Sequence, residues 1–143
     1  MKEFTPDGLM IAMVLGAALV AYIIYALIKA TRNNGIVLLP EVLMFGWWGS
    51  APLPWLMFLT YAQKDNAALI AHERCHQDQQ RRDGVLTFWV RYVFNKDWRY
   101  KYELEAYKVW LTVALEDMWR VVSAMKNYGF DATEAELINA LKN

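Results

Sequence analysis

The only two histidines of the chain stand four residues apart, in His72-Glu73-Arg74-Cys75-His76. They fall inside a helix-sized stretch, Asn66 to Arg82, reading NAALIAHERCHQDQQRR. Positions four apart on a helix differ by about 40° of rotation and one turn of rise, so both rings project from one face. Two imidazoles so placed can grip one tetrahedral ion. Glu73 points about 100° away from His72, where its carboxylate can reach a water on that ion and take its proton. The H-E-x-x-H pattern also occurs on ordinary helices, where both histidines are simply solvated. Its use of every histidine in the chain favours the metal reading.

A catalytic zinc takes three protein ligands and keeps a fourth position for water. With both histidines used, the third ligand must be a carboxylate, and the candidates are Glu103 and Glu105 in Tyr102-Glu103-Leu104-Glu105-Ala106-Tyr107. Glu103, Ala106, Tyr107 and Trp110 recur at i, i+3, i+4 and i+7, on one face with the apolar positions that follow. Glu105 lies about 200° from Glu103 and shares its face with Lys101 and Lys108, which reads as solvated. Periodicity therefore turns Glu103 inward. Cys75 sits about 100° round the helix from His76, and is expected to pack beneath the site rather than to ligate.

These residues must be positioned by a small scaffold. At 143 residues the chain has room for one modest domain plus an anchor. Fifteen Lys and Arg balance fifteen Asp and Glu, so no basic excess points to nucleic acid. A single cysteine excludes an internal disulfide framework. Hydrophobic residues make up 57% of the chain and seven are tryptophans, a balance that points toward a membrane.

Gly8 to Ile28 carries no charge and is bounded by Asp7 and Lys29. At 1.5 Å per residue it would extend about 31 Å, enough to cross a bilayer, and it reads as an uncleaved single-pass anchor over residues 1–32. A buried core helix is the alternative. Lys29 and Arg32 behind the span lean toward a cytoplasmic placement of the following domain, residues 33–143. Between Val42 and Gln63 there is again no charge, but Gly46, Gly49, Pro52 and Pro54 interrupt the run. Ile36–Leu39, Leu43–Trp47 and Leu56–Tyr61 suit strands of a small antiparallel sheet, with GSAPLP as the turn between the last two. A second or re-entrant membrane segment is the competing reading.

The motif helix is expected to be capped by Asp65 or Asn66 and ended by Asp83-Gly84. Val85 to Phe94 reads as a second helix. From Trp98 a long helix is expected to about Tyr128, broken by Gly129, with Trp110, Val113, Ala114, Met118, Val121, Val122 and Met125 as its core stripe. Thr133 and Glu136 make a capping box for a short last helix.

Taken together, His72-Glu73-x-x-His76 followed by Glu103 on a later helix resembles the gluzincin class of zinc metallopeptidases. Within that class the chain is similar to small metallopeptidase domains of bacterial and bacteriophage genomes. It shares with them Gln79-Gln80, Arg82-Asp83-Gly84, Phe88-x-x-Arg91-Tyr92 and Glu103-x-x-Ala106-Tyr107 over about Trp55 to Trp110. The resemblance implies Zn2+ held by His72, His76 and Glu103, with Glu73 as general base. Tyr107 stands where the related processing proteases carry an aspartate, and reads as a structural aromatic.

The expected protein is thus α+β: an N-terminal transmembrane helix followed by a minimal zincin-like domain. Its expected function is zinc-dependent hydrolysis of peptide bonds at a membrane surface. Peptide or protein substrates and the lipid bilayer are the expected partners. An edge strand, Leu56–Tyr61, would align the substrate. The alternatives are a catalytically inactive, metal-stabilised structural protein, such as a bacteriophage component, and a membrane-interaction module.

Overall fold

The computed structural model describes residues 14, 16–18, 20–25, 28, 35–44 and 48–143. Within them the chain is mostly helical, with one small sheet, and is α+β in class. Three strands, β1 (Ile36–Leu39), β2 (Gly49–Leu53) and β3 (Leu56–Thr60), precede five helices. These are α1 (Ala67–Asp83), α2 (Val85–Phe94), α3 (Lys96–Val113), α4 (Met118–Asn127) and α5 (Glu134–Lys142).

The sheet is mixed rather than antiparallel, in the order β1-β3-β2. β1 runs parallel to β3 with Ile36 opposite Met57, while β2 runs antiparallel with Ser50 opposite Phe58. β3 is buried on both sides because it is the central strand, and Leu59 is fully buried. The expected substrate-aligning edge at Leu56–Tyr61 is therefore corrected. The segment expected to be a turn, GSAPLP, instead supplies β2. Proline and glycine argue against a central strand, but a proline is tolerated at an edge, and a register shift between Ser50 and Leu53 accommodates it. Leu43–Trp47 is not a strand where it is described: Glu41–Met44 forms a short 3-10 turn, and residues 45–47 lie outside the described set.

The transmembrane anchor is also corrected. Most of Gly8–Ile28 lies outside the described residues, and those described between 14 and 28 are helical. Among the described residues no helix is long and apolar enough to cross a membrane. A span needs about 20 predominantly apolar residues within one helix. A single-pass membrane placement is accordingly not supported.

The helix boundaries follow local chemistry. Asn66 caps α1, its side chain accepting from the Leu69 N–H at 3.0 Å. Gly84 ends it at φ +84°, a conformation that side chains with a Cβ rarely adopt. Asn95 caps α3 through the Asp97 and Trp98 N–H groups, so the helix begins at Lys96, two residues before the expected Trp98. Thr133 and Glu136 form the capping box of α5.

The expected helix from Trp98 to Tyr128 is broken in two. α3 ends at Ala114, a 3-10 turn covers Leu115–Asp117, and α4 starts in a new direction. Neither glycine nor proline marks this break. The indole of Trp110 donates to Asp117 at 2.9 Å across it, and Val113, assigned to the core stripe, is turned out to solvent. The bend lets Val121, Val122 and Met125 close over Leu69, Trp110 and Leu137 in one hydrophobic core. α1 lies between the sheet and α3, packed most extensively on α3 and on β2.

Candidate metal centre

α1 and α3 face each other across the site. His72, Glu73 and His76 on α1 and Glu103 on α3 are all buried, Glu103 completely. The two histidine Nε2 atoms lie 3.2 Å apart. Glu103 Oε2 is 3.6 Å from His72 Nε2, and Oε1 is 3.6 Å from His76 Nε2. Tetrahedral zinc at bonds of about 2.0–2.1 Å separates its ligand atoms by about 3.4 Å, so this triangle is the right size for one ion. Glu103 Oε2 has no hydrogen-bond partner among the described residues. A fully buried carboxylate oxygen left without a donor is costly unless a cation completes it. Among the described residues, His72, His76 and Glu103 thus form a buried group that could hold a metal ion.

The two imidazole rings suit a metal site. Burial, and then the nearby His76, hold the pKa of His72 well below the ordinary histidine range, with the Ala106 backbone opposing in part. His72 is therefore neutral, as a metal ligand must be. The ring of Tyr107 packs on that of His72 at 4.4 Å between centroids.

His76 is oriented by Gln79, a residue whose role the sequence left unassigned. Gln79 donates its amide hydrogens to the Tyr102 carbonyl at 3.0 Å and to Glu105 Oε2 at 3.1 Å. Its oxygen must then face His76 Nδ1, 2.8 Å away. Nδ1 carries the hydrogen in this arrangement, which leaves the Nε2 lone pair facing the site. Glu105 is an outer partner of Gln79 and pairs with Arg82 at 2.9 Å, not with the lysines that share its face in sequence. Cys75 is buried, its Sγ taking a 3.5 Å contact from Gln79. Burial, with Glu105 adding to it, pushes the Cys75 thiol up to about 12, which suits packing rather than thiolate ligation.

Glu73 is held by β2. Its carboxylate accepts from the Ala51 backbone. At Gly49 a Cβ would lie 2.9 Å from Glu73 Oε1 and 3.0 Å from a Leu59 methyl, so the strand can approach this closely only as glycine. Burial pushes the Glu73 carboxyl up to about 7; His76 opposes this and Glu103 adds to it. Much of the outer edge of β2 is already taken. Gln80 donates to the Ala51 carbonyl at 2.6 Å and the Trp89 indole to Pro52 at 3.1 Å.

Three tyrosines, none of them assigned to ligand support beforehand, surround Glu103. The Tyr92 hydroxyl donates to Glu103 Oε1 at 2.5 Å. Burial, followed by the charge of Glu103, raises the pKa of Tyr92, Tyr107 and Tyr128, so all three keep their protons. Two cavities of about 520 and 370 Å3 flank the group, and His72, Glu73, Tyr92 and Tyr128 line both. No periodicity signal could have placed Tyr128 here, because it arrives through the bend at Ala114 and the close of α4.

Compared with family models, curated proteins and solved structures, the chain matches none.

Proposed function

We propose that the protein is a zinc-dependent peptidase that hydrolyses peptide bonds with a metal-activated water. The observation that carries this reading is the position of Glu73. It is a buried carboxylate with a raised pKa, fixed by the Ala51 backbone next to a His/His/Glu triangle and exposed to both cavities. A metal centre that is only structural is closed by a fourth protein ligand and has no use for a base at its open side.

Two imidazoles and one carboxylate in a tetrahedral arrangement suit zinc. Zinc bound there would polarise a carbonyl and lower the pKa of a water. The residues of this chain do the rest. Glu73 takes the proton of the water and returns it to the leaving amine, a task suited to a carboxyl that titrates near neutrality. Gln79 keeps the His76 ring in register, and Tyr92 holds Glu103. The phenols of Tyr107 and Tyr128 remain protonated at the wall of the larger cavity, where they can donate to an oxyanion.

The test is metal analysis of the purified full chain, followed by cleavage assays on casein and a mixed peptide library. About one zinc per chain is expected, with cleavage abolished by chelation and by Glu73→Gln while the zinc is retained. Stoichiometric iron in place of zinc, or unchanged cleavage by Glu73→Gln, would overturn the reading.

A further inference from the structure

The larger cavity beside the candidate metal centre holds two arginines that the hydrolytic scheme does not use. Arg99 on α3 and Arg120 on α4 both line it, together with Asn127 and the metal-side residues His72 and Glu73. Arg99 stands one helical turn before Glu103 and is half-buried. Its Nε is buried and has no hydrogen-bond partner among the described residues. Arg82, Arg91 and Arg120 each reach a carboxylate, whereas no such pair involves Arg99 among the described residues. A buried guanidinium N–H without an acceptor is unfavourable unless a ligand supplies one.

Arg120 is placed differently. Its guanidinium stacks over Trp48 at 4.5 Å and lies 5.8 Å from the Trp110 ring. Its contact with Asp117, at 3.9 Å, is long and partly exposed, so the pairing leaves much of the charge uncompensated. Contact with the two rings keeps the guanidinium beside the cavity, and a guanidinium can recognise a carboxylate in bidentate fashion. The cavity, about 520 Å3, has the size of a small-ligand site.

We propose that this cavity binds a carboxylate of the substrate, with Arg99 as its main partner and Arg120 as a second, so that the enzyme prefers peptides carrying a carboxylate close to the scissile bond. The proposal deepens the peptidase reading above and rests on it for the chemistry, but not for the binding. A peptide offers carboxylates from two sources, its C-terminus and its Asp or Glu side chains, and both have the chemistry that the arginines recognise. Either would lie on the arginine side of the cavity and leave the metal side to the scissile carbonyl.

Binding is measured by calorimetry on the full chain, as purified and again after chelation. The probes are N-acetyl-Phe-Ala as free acid, N-acetyl-Phe-Ala amide and N-acetyl-Glu-Ala amide, with inorganic phosphate alongside. The free acid should bind about 10- to 100-fold more tightly than the Phe-Ala amide, before and after chelation. If the Glu-Ala amide binds as tightly as the free acid, the carboxylate is a side chain; if it binds like the Phe-Ala amide, it is the terminus.

Arg99→Gln should erase the preference, Arg99→Lys should restore part of it, and Arg120→Gln should weaken it. Should Arg99→Gln fail to fold, Arg120→Gln carries the test. Equal binding of all three peptides, a preference that survives both substitutions, or phosphate binding more tightly than the free acid would overturn the proposal. The two readings fail separately. An arginine-dependent preference without any cleavage would sink hydrolysis and leave the carboxylate site standing. Cleavage without a preference would do the reverse.

Discussion

The Glu73 carboxylate lies against Gly49, so closely that a Cβ on Gly49 would stand 2.9 Å from Glu73 Oε1 and 3.2 Å from its Cγ. The contact joins the motif helix to the edge strand and decides where the proposed base points. Gly49→Ala should displace Glu73 and press on Leu59, costing about 1–3 kcal/mol of stability. Cleavage should fall at least tenfold while metal content stays the same. Thermal melts, zinc analysis and the peptide assay on one preparation check this, and full activity in Gly49→Ala would show that Gly49 does not place Glu73.

Loss of a ligand should be separable from loss of a neighbour. His72→Ala, His76→Ala and Glu103→Gln should each abolish stoichiometric zinc and the thermal stabilisation that bound zinc confers by mass action. Glu105→Gln removes a partly exposed partner of Arg82 and Gln79, and should weaken zinc only slightly. Competition titrations with a zinc indicator give the affinities. Loss of zinc in Glu105→Gln with retention in Glu103→Gln would reverse the ligand assignment.

Gln79 fixes the hydrogen on His76 Nδ1, although it never reaches the metal position itself. Gln79→Met keeps the volume and removes the acceptor, so the ring loses its orientation. Zinc affinity should drop about 10- to 100-fold, as for other outer partners of metal-bound histidines. Unchanged affinity would show that helix geometry alone orients His76.

Asp83 ties α1 to α3 and α2, accepting from the Tyr102 hydroxyl at 2.6 Å and lying 3.5 Å from Arg91. The Tyr102 hydrogen bond, then Arg82, hold its carboxyl below the ordinary aspartate range, against the opposing effect of burial. A folded-state pKa below the unfolded value, about 3.9, means a stabilisation that is fully present above pH 4–5 and lost as pH falls through the folded pKa. Asp83→Asn should therefore destabilise the protein by about 1–2 kcal/mol at neutral pH and by progressively less toward pH 3. Urea titrations at pH 7, 5 and 3 measure the difference, and an equal loss at all three would show that the charge contributes nothing.

The parts of this protein that could be read from the sequence are those decided within one or two turns of chain. The i, i+4 spacing of His72 and His76 puts both rings on one face in any helix. The same periodicity turned Glu103 inward and Glu105 outward. Asn66, Gly84 and the Thr133–Glu136 box mark helix ends because caps act on backbone groups only a few residues away. Tertiary structure decided everything that needed knowledge of a distant neighbour. Pro52 looked like a strand breaker, and only the sheet order shows that it occupies an edge, where the missing N–H does no harm. The apolar run at Gly8–Ile28 read as a span from its hydropathy, whereas among the described residues no helix is long and apolar enough to cross a membrane. The break at Ala114 has no glycine or proline to announce it, being held by Trp110 and Asp117 and by the burial of Val121, Val122 and Met125 behind it. That bend brings Tyr128 and Arg120 to the cavity, while β2 brings Gly49 and Ala51 to Glu73. The candidate ligand set is a matter of helical phase, but β2 beside Glu73 and Tyr128 near Glu103 come from chain segments more than twenty residues away, which no local pattern encodes.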